Sequence, residues 1–431
     1  MEFKEDFLQA VWKYQYFDKN GLRSSDGQTL EVKKIGLHNF YHGPDFLESC
    51  IKIGGLDLFG HVEVHRKASD WKNHEHDADT RYNSVILHVV YENDSEIFRN
   101  DGTKIPTLEL KGKILLDVVR NYEKLISSGD GLLCSEFLPE ILPILKFSML
   151  EKALVERLED KSTSVFHILE GTKGDWEETS YRWLFQSFGF KTNSLSMLRL
   201  SESIPYRTLQ KLSNHAKGIE AILLGQADLL PEQPVDEYSK ELKSEFEFYM
   251  KKYGLKKTVY CQDWKFMGVR PQNNPVLRIV QLAAFLSQNK NIFSEAIYES
   301  SKFDAFRQLF TIEVNPYWEK HLRPGVPANQ KLSKKLSENT IRLLMINFVV
   351  PLWFSYGRYI ENSQWKDKCF DLLQELKPEI NHITKRFNAY NWICENAFDS
   401  QGMIGLFNMY CIQKKCMDCK IGHSLLKTAS V

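Results

Sequence analysis

Near residue 115 the apolar residues of this chain change their period, and that change limits the folds open to it. Before it, short apolar or alternating runs stand between Gly-Gly, Gly-Pro and Asn-Asp breaks, which is the pattern of β-strands. Leu30–Ile35, Ser49–Ile53, Leu56–His65 and Val85–Tyr91 are four such runs. A helix precedes them, because Phe3, Phe7, Leu8, Val11 and Trp12 recur at helical spacing. A helical or irregular segment, about Ser69–Tyr82, separates the last two strands. The order α-β-β-β-α-β implies a mixed sheet with helices packed on it.

From about residue 140 the pattern is helical almost throughout. Ser148-Met149-Leu150-Glu151 reads as a capping box ahead of Leu154 and Leu158. Asp175 followed by Glu178 opens a helix carrying Trp176, Trp183 and Leu184, which stops near Gly189. Asn274-Pro275 places a cap and a first-turn proline before Val276–Leu286, and Leu230–Asp236 reads as a loop between helical parts. The fold class is therefore α+β: an α/β domain over 1–125 and an all-helical domain over 140–425. With 431 residues the chain exceeds what one core organises.

Composition narrows the function classes. Lys+Arg and Asp+Glu each number 56, so no global positive field draws the chain to nucleic acid or to a membrane surface. A local basic groove remains compatible with that balance. Met1-Glu2-Phe3-Lys4-Glu5-Asp6 lacks the basic-then-apolar run of a signal peptide. The most apolar stretch, 343–354, is broken by Asn347 and Pro351 and falls short of the roughly 18–20 residues of a membrane span, so it reads as a buried core helix. Eight cysteines without a secretory signal point to reduced thiols and a cytoplasmic address. Cys50, Cys134, Cys261 and Cys369 stand alone in sequence and are expected to be small buried residues.

The chemistry concentrates in 38–88, where seven of the twelve histidines lie. In the run 58–65, alternation sends Leu58, Val62 and Val64 one way and His61, Glu63 and His65 the other. Either a solvated polar face or a metal and proton-transfer face has this composition. Upstream, Gly43-Pro44-Asp45-Phe46 places an acid in a turn eighteen residues before Glu63. Two carboxylates on neighbouring strands, with a third polar group two residues after the second, suit metal-assisted phosphodiester cleavage. The carboxylates hold Mg²⁺ or Mn²⁺, and the third group orients water or neutralises charge. Asp45 and Glu63 are then the metal ligands, with His65 and His61 managing water or charge.

Asp45…Glu63-Val64-His65 in α-β-β-β-α-β order resembles the PD-(D/E)xK nuclease core. The resemblance implies metal-dependent nucleic-acid cleavage, with DNA or RNA as partner, and makes Glu5 on the first helix an additional acid. It departs from the family where His65 occupies the lysine position; Lys52 or Lys67 would supply a displaced charge. A second cluster, His74-Glu75-His76-Asp77-Ala78-Asp79, fits neither the metallo-β-lactamase nor the zinc-protease ligand spacing. It reads as a polar helix start, or as His74 and His76 contacting substrate or ligands near Glu63. His88, inside an apolar run, reads as a core histidine.

The C-terminal run Cys411…Cys416-x₂-Cys419…His423 has the spacing of a structural zinc or iron–sulfur site, with Cys394 as a rival ligand and thiols at a helix end as the plain alternative. Several blocks together, among them 43–46, 60–65, 85–90, Trp264-Lys265-Phe266 with Arg270-Pro271, Asp399–Gly402 and 411–422, resemble the bacterial domain of unknown function 2851 family from end to end. In the helical half, Trp264, Arg270 and Arg278 could face phosphate, or hold helices together. The expected function is divalent-metal-dependent phosphodiester cleavage. The alternatives are an inactive relative that binds nucleic acid or protein, and a His-rich transition-metal hydrolase built on His61, His65, His74 and His76.

Overall fold

The computed structural model describes residues 3–127, 132–269, 271–298, 302–333 and 335–427. Two compact units emerge. The first holds the initial 150 residues, a short piece at Ala389–Trp392, and the chain from Gly405 onward; the second holds Glu151–Asn388 and Ile393–Ile404. The sequence reading keeps the Cys-rich tail with the helical half, whereas its contacts group it with the sheet unit. Amphipathic period alone does not say which core a terminal helix covers.

The first unit is built on a six-stranded mixed sheet. Its elements are α1 (Glu5–Tyr14), β1 (Leu30–Lys34), β2 (Leu37–His38), β3 (Phe46–Ile53) and β4 (Leu56–Lys67), followed by α2 (Asp70–Asn73), β5 (Val85–Glu92), β6 (Thr107–Glu109) and α3 (Leu116–Ser127). The strands order as β1-β3-β4-β5-β6, with β2 also on β3. β1, β3 and β4 pair antiparallel, while β4–β5 and β5–β6 are parallel. The β3–β4 hairpin closes at Gly54 and Gly55, both at positive φ (57° and 91°). Successive positive φ values are what a two-residue turn matched to strand twist demands.

Burial at the centre of the sheet is two-sided rather than alternating, with Glu63, His65, His88 and Val90 buried on one face. Val62 and Val64 of β4 and Leu87 and Val89 of β5 are fully buried, and each such side chain contributes roughly 1.5–3 kcal/mol relative to exposure. α1 packs its Phe7, Leu8, Val11 and Trp12 stripe inward. Phe7 stacks on Tyr122 of α3 at 4.0 Å, and the Trp12 indole donates to the Ile35 carbonyl. Three register shifts interrupt the ladders, the first between Val32 and Lys34 of β1. The β3 shift lies between Phe46 and Ser49, where Glu48 has φ 55°; the β4–β5 shift lies between His61 and Val62.

The second unit is helical, and its capping matches the sequence in most places. Asp175 accepts from the Glu177 and Glu178 N–H groups at the start of Trp176–Phe188, and Asn274 caps Pro275–Gln288. The capping box expected at 148–151 does not form. That segment lies inside one long helix, α4 (Pro143–Gly171), which starts at Pro143 because proline pre-sets the helical φ and sacrifices no bonded N–H there.

The apolar stretch 343–354 lies in a continuous helical run, Glu338–Tyr359. This run is long and apolar enough by composition to cross a membrane; an 18-residue stretch of it has mean hydropathy 1.3, and 78% of that stretch is buried within the protein. A π-helical turn at Met345–Val349 precedes Pro351. Pro351 has no N–H for the Asn347 carbonyl, which instead accepts from the Ser187 hydroxyl at 3.2 Å.

Candidate metal centre

Glu63 and His65 lie two residues apart on β4, so both side chains project from one face. Across the parallel ladder Glu63 pairs with His88 of β5. His88 is fully buried, and its Nε2 lies 2.8 Å from Nδ1 of His65. The tautomer in which His65 donates from Nδ1 to His88 leaves the Nε2 lone pair of His65 turned to the open side.

Two further imidazoles arrive from the connection between β4 and β5. Trp71 anchors α2 in the core, its indole donating to the Phe98 carbonyl at 3.1 Å. Just after α2, Glu75 adopts φ 58°, a left-handed turn between His74 and His76. The His76 ring stacks on Tyr82 at 3.7 Å with an interplanar angle of 19°. From the other side, α1 contributes Glu5 in its first turn.

The donors converge. Oε1 of Glu63 lies 3.4 Å from Nε2 of His65 and 3.4 Å from Nε2 of His76. Oε1 of Glu5 lies 3.7 Å from Nε2 of His65, and Nδ1 of His74 lies 3.1 Å from the same atom. Ligand atoms of His65, His74 and His76 all fall within 4.8 Å of one another. A tetrahedral ion with nitrogen and oxygen bonds near 2.0–2.1 Å separates its donors by about 3.3 Å, so this spacing suits one small cation. The imidazole-rich set suits Zn²⁺ or Mn²⁺ better than Mg²⁺, which prefers an all-oxygen shell.

Asp45 sits behind this set. Its backbone N–H donates to Oε2 of Glu63 at 2.9 Å, which leaves Oε1 directed at the imidazoles. Its carboxylate accepts from the Val64 N–H at 3.1 Å and from the Gln9 amide at 2.9 Å. Asp45 therefore fixes the orientation of Glu63 in this arrangement.

Electrostatics sharpen the picture. Burial, then the neighbouring Glu63 charge, raises Asp45 to about 8. Burial chiefly raises Glu63 to about 8 and, with Asp45 adding to it, Glu5 to about 7. Burial and the surrounding imidazoles depress His65 to about 2, and burial depresses His88 to about 3. Three carboxyls that resist ionising beside imidazoles that resist protonation form a site with no positive charge of its own, which a cation would relieve.

Of the residues singled out in sequence, Glu5, Asp45, Glu63, His65, His74 and His76 come together here, while His61 and Lys52 do not. The shift in β3 takes the Glu48 N–H out of the ladder, and Nδ1 of His61 accepts it at 3.3 Å. Lys52 stands opposite Asp57, six residues up β4 from Glu63 and roughly 20 Å along the strand. Lys67 lies beside Glu92 and Asp94. Gln9, unremarked in sequence, carried a signal in its helical i+4 spacing from Glu5.

In the helical unit, Trp264 is buried and donates to the Ala227 carbonyl at 2.8 Å. Arg278 is buried against Gln281 and Asn273, so both serve packing. Arg270 lies outside the described residues. The tail histidine, His423, is engaged by the Tyr16 hydroxyl at 2.6 Å and the Tyr14 ring. Cys394 belongs to the helical unit and its thiol donates to the Asn396 carbonyl. Cys261 is exposed rather than buried, while Cys134 approaches the tail cysteines.

A family model described as "Protein of unknown function (DUF2851)" matches residues 5–382. No curated protein and no solved structure matches the chain.

Proposed function

The chain belongs to the DUF2851 family of proteins of unknown function, and on that premise we propose that its sheet unit is a divalent-metal-dependent phosphodiester hydrolase with a histidine-rich centre. The observation that carries the reading is the placement of Oε1 of Glu63 3.4 Å from Nε2 of both His65 and His76. Support for the phosphodiester substrate comes from the element order, with an acid at the start of β3 and Glu-x-His on β4, which resembles the PD-(D/E)xK nuclease core. Glu63, His65 and His76 would hold the ion, with His74 and Glu5 at its more open side. A divalent cation in such a site supplies Lewis-acid polarisation of the scissile group and acidifies the attacking water.

The chain's own residues do the rest. Asp45 holds Glu63 through its N–H, and His88 holds His65 through its ring, so the donor set is oriented before substrate arrives. Glu5, with its carboxyl raised to about 7, is suited to accept or return a proton near neutral pH. Burial of Glu63 and His65 keeps bulk water from the ligand atoms.

The test is cleavage of labelled single- and double-stranded DNA and RNA with Mn²⁺, Zn²⁺ or Mg²⁺, comparing wild type with Glu63→Gln and His76→Asn. Cutting that is strongest with Mn²⁺ or Zn²⁺ and is lost in both folded variants is the expected result. Absence of cutting with every ion, or cutting that survives both substitutions, overturns the reading.

A further inference from the structure

Four of the eight cysteines meet in one place, and the sequence grouped only three of them. Cys134, Cys411, Cys416 and Cys419 line a single cavity together with Lys415. Cys134 immediately precedes the short 3₁₀ helix Ser135–Glu140. The others come from the tail. Cys411 closes a π-helical turn, Phe407–Cys411, and Lys414 at φ 55° then reverses the chain. Cys416 and Cys419 follow before the last helix, Lys420–Lys427.

The tail is packed tightly here. A side chain at Gly422 would collide with the Cys416 backbone carbonyl, so only glycine lets the last helix lie against that turn. Cys419 is buried, and Cys134, Cys411 and Cys416 are half-buried. Cys134, Cys416 and Cys419 are close enough that a thiolate at one opposes a thiolate at the next.

The order of the cysteines in the chain distinguishes between occupants, since all four thiols line one cavity. Four cysteines around such a space are the ligand set of an iron–sulfur cluster, and Cys-x₄-Cys-x₂-Cys with a distant fourth cysteine is one of its sequence patterns. The cluster's negative charge would meet Lys415 at the cavity, and Lys4 and Lys414 beside Cys416, with Asp6 among them.

We propose that Cys134, Cys411, Cys416 and Cys419 bind an iron–sulfur cluster that ties the tail to the segment around Cys134. His423 is not a ligand; its ring is taken by Tyr16 and Tyr14. On binding, each thiol releases its proton to solvent as its sulfur bonds iron. Ferric iron and sulfide come from outside the chain, and joining two Fe³⁺, two sulfides and the four thiolates into an oxidised two-iron cluster transfers no electron. The tie closes a loop spanning most of the chain, so cluster loading is coupled to folding of the sheet unit.

The test is iron and acid-labile sulfide content, with visible absorption, of the full chain purified without oxygen. Iron and sulfide in equal amounts, lost together in Cys134→Ser and in Cys419→Ser but retained in Cys261→Ser and His423→Ala, is the expected result. Reconstitution of wild type with Fe³⁺ and sulfide reads the same absorption without relying on a variant that folds poorly. Zinc without sulfide, full iron content in Cys134→Ser, or no cluster in reconstituted wild type would each overturn the proposal.

Discussion

Replacing His88 with leucine separates a metal ligand held by a second histidine from a merely packed histidine core. His88 Nδ1 is buried without a hydrogen-bond partner, while Nε2 meets His65. An unsatisfied buried polar atom costs roughly 1–3 kcal/mol. His88→Leu removes that atom but orphans Nδ1 of His65, so without metal the two effects offset to within about 1 kcal/mol. With metal the outcome differs. Loss of a group that orients a ligand weakens binding by about 10–100-fold. At a free Zn²⁺ concentration near 100 times the wild-type Kd, wild type gains about 2.7 kcal/mol of stability. The variant at the same concentration keeps only about 0.4–1.4 kcal/mol. Urea unfolding with and without Zn²⁺ measures both numbers. His61→Ala, whose ring is engaged by the Glu48 N–H and not by the cluster, should keep the full gain. A His88→Leu protein stabilised by zinc as much as wild type would refute the orienting role, and no zinc effect on wild type would refute the metal site.

Other consequences follow from single contacts. Glu220 is buried, accepts from the Tyr238 hydroxyl and Trp318 indole at 2.9 Å, and is raised chiefly by burial from 4.5 to about 7. The folded state holds its proton where the unfolded chain has released it. This contribution to stability is therefore full below about pH 4.5 and disappears as pH rises through 7, a change of about 3 kcal/mol. In Glu220→Gln that part of the pH slope should vanish, measured as the difference between the two unfolding curves; an unchanged slope assigns it elsewhere. Gly60→Ala should cost about 1–3 kcal/mol, because its Cβ meets the Ser84 carbonyl and the Ile86 side chain; a loss under about 0.5 kcal/mol in urea unfolding would show that the β4–β5 edge yields freely. Asp175→Ala should cost about 1 kcal/mol through the loss of the cap on Glu177 and Glu178. Asp175→Asn should recover most of that loss, and a null effect would mean solvent caps the helix equally well.

Local pattern made much of this protein legible. The period of two in Leu56–His65 announced β4, and the same alternation put Glu63 and His65 on one face. Polar caps at Asp175 and Asn274 marked two helix starts because their side chains satisfy N–H groups that nothing else in a first turn reaches. The capping box at 148–151 misled because the same residue types are tolerated inside a helix whose start, Pro143, lies upstream. The two short strands β2 and β6 carried too few residues for a period to show.

Sequence by itself determined which side chains have donors, which strand face they share, and that the chain divides between a mixed sheet and helices. Tertiary structure alone decided which donors meet. His61 and His65 have the same parity in sequence, yet a one-residue bulge on the neighbouring strand gives His61 to a backbone N–H and leaves His65 to the cluster. Cys134 looked solitary because the tail cysteines follow it by more than 270 residues, and no local rule reports a contact that depends on where the chain end packs. Alternation and capping act over a few residues and are written locally. A metal centre requires several groups from distant segments to converge within a few ångströms, and that distance is set by bulges, turns and packing summed over the whole unit.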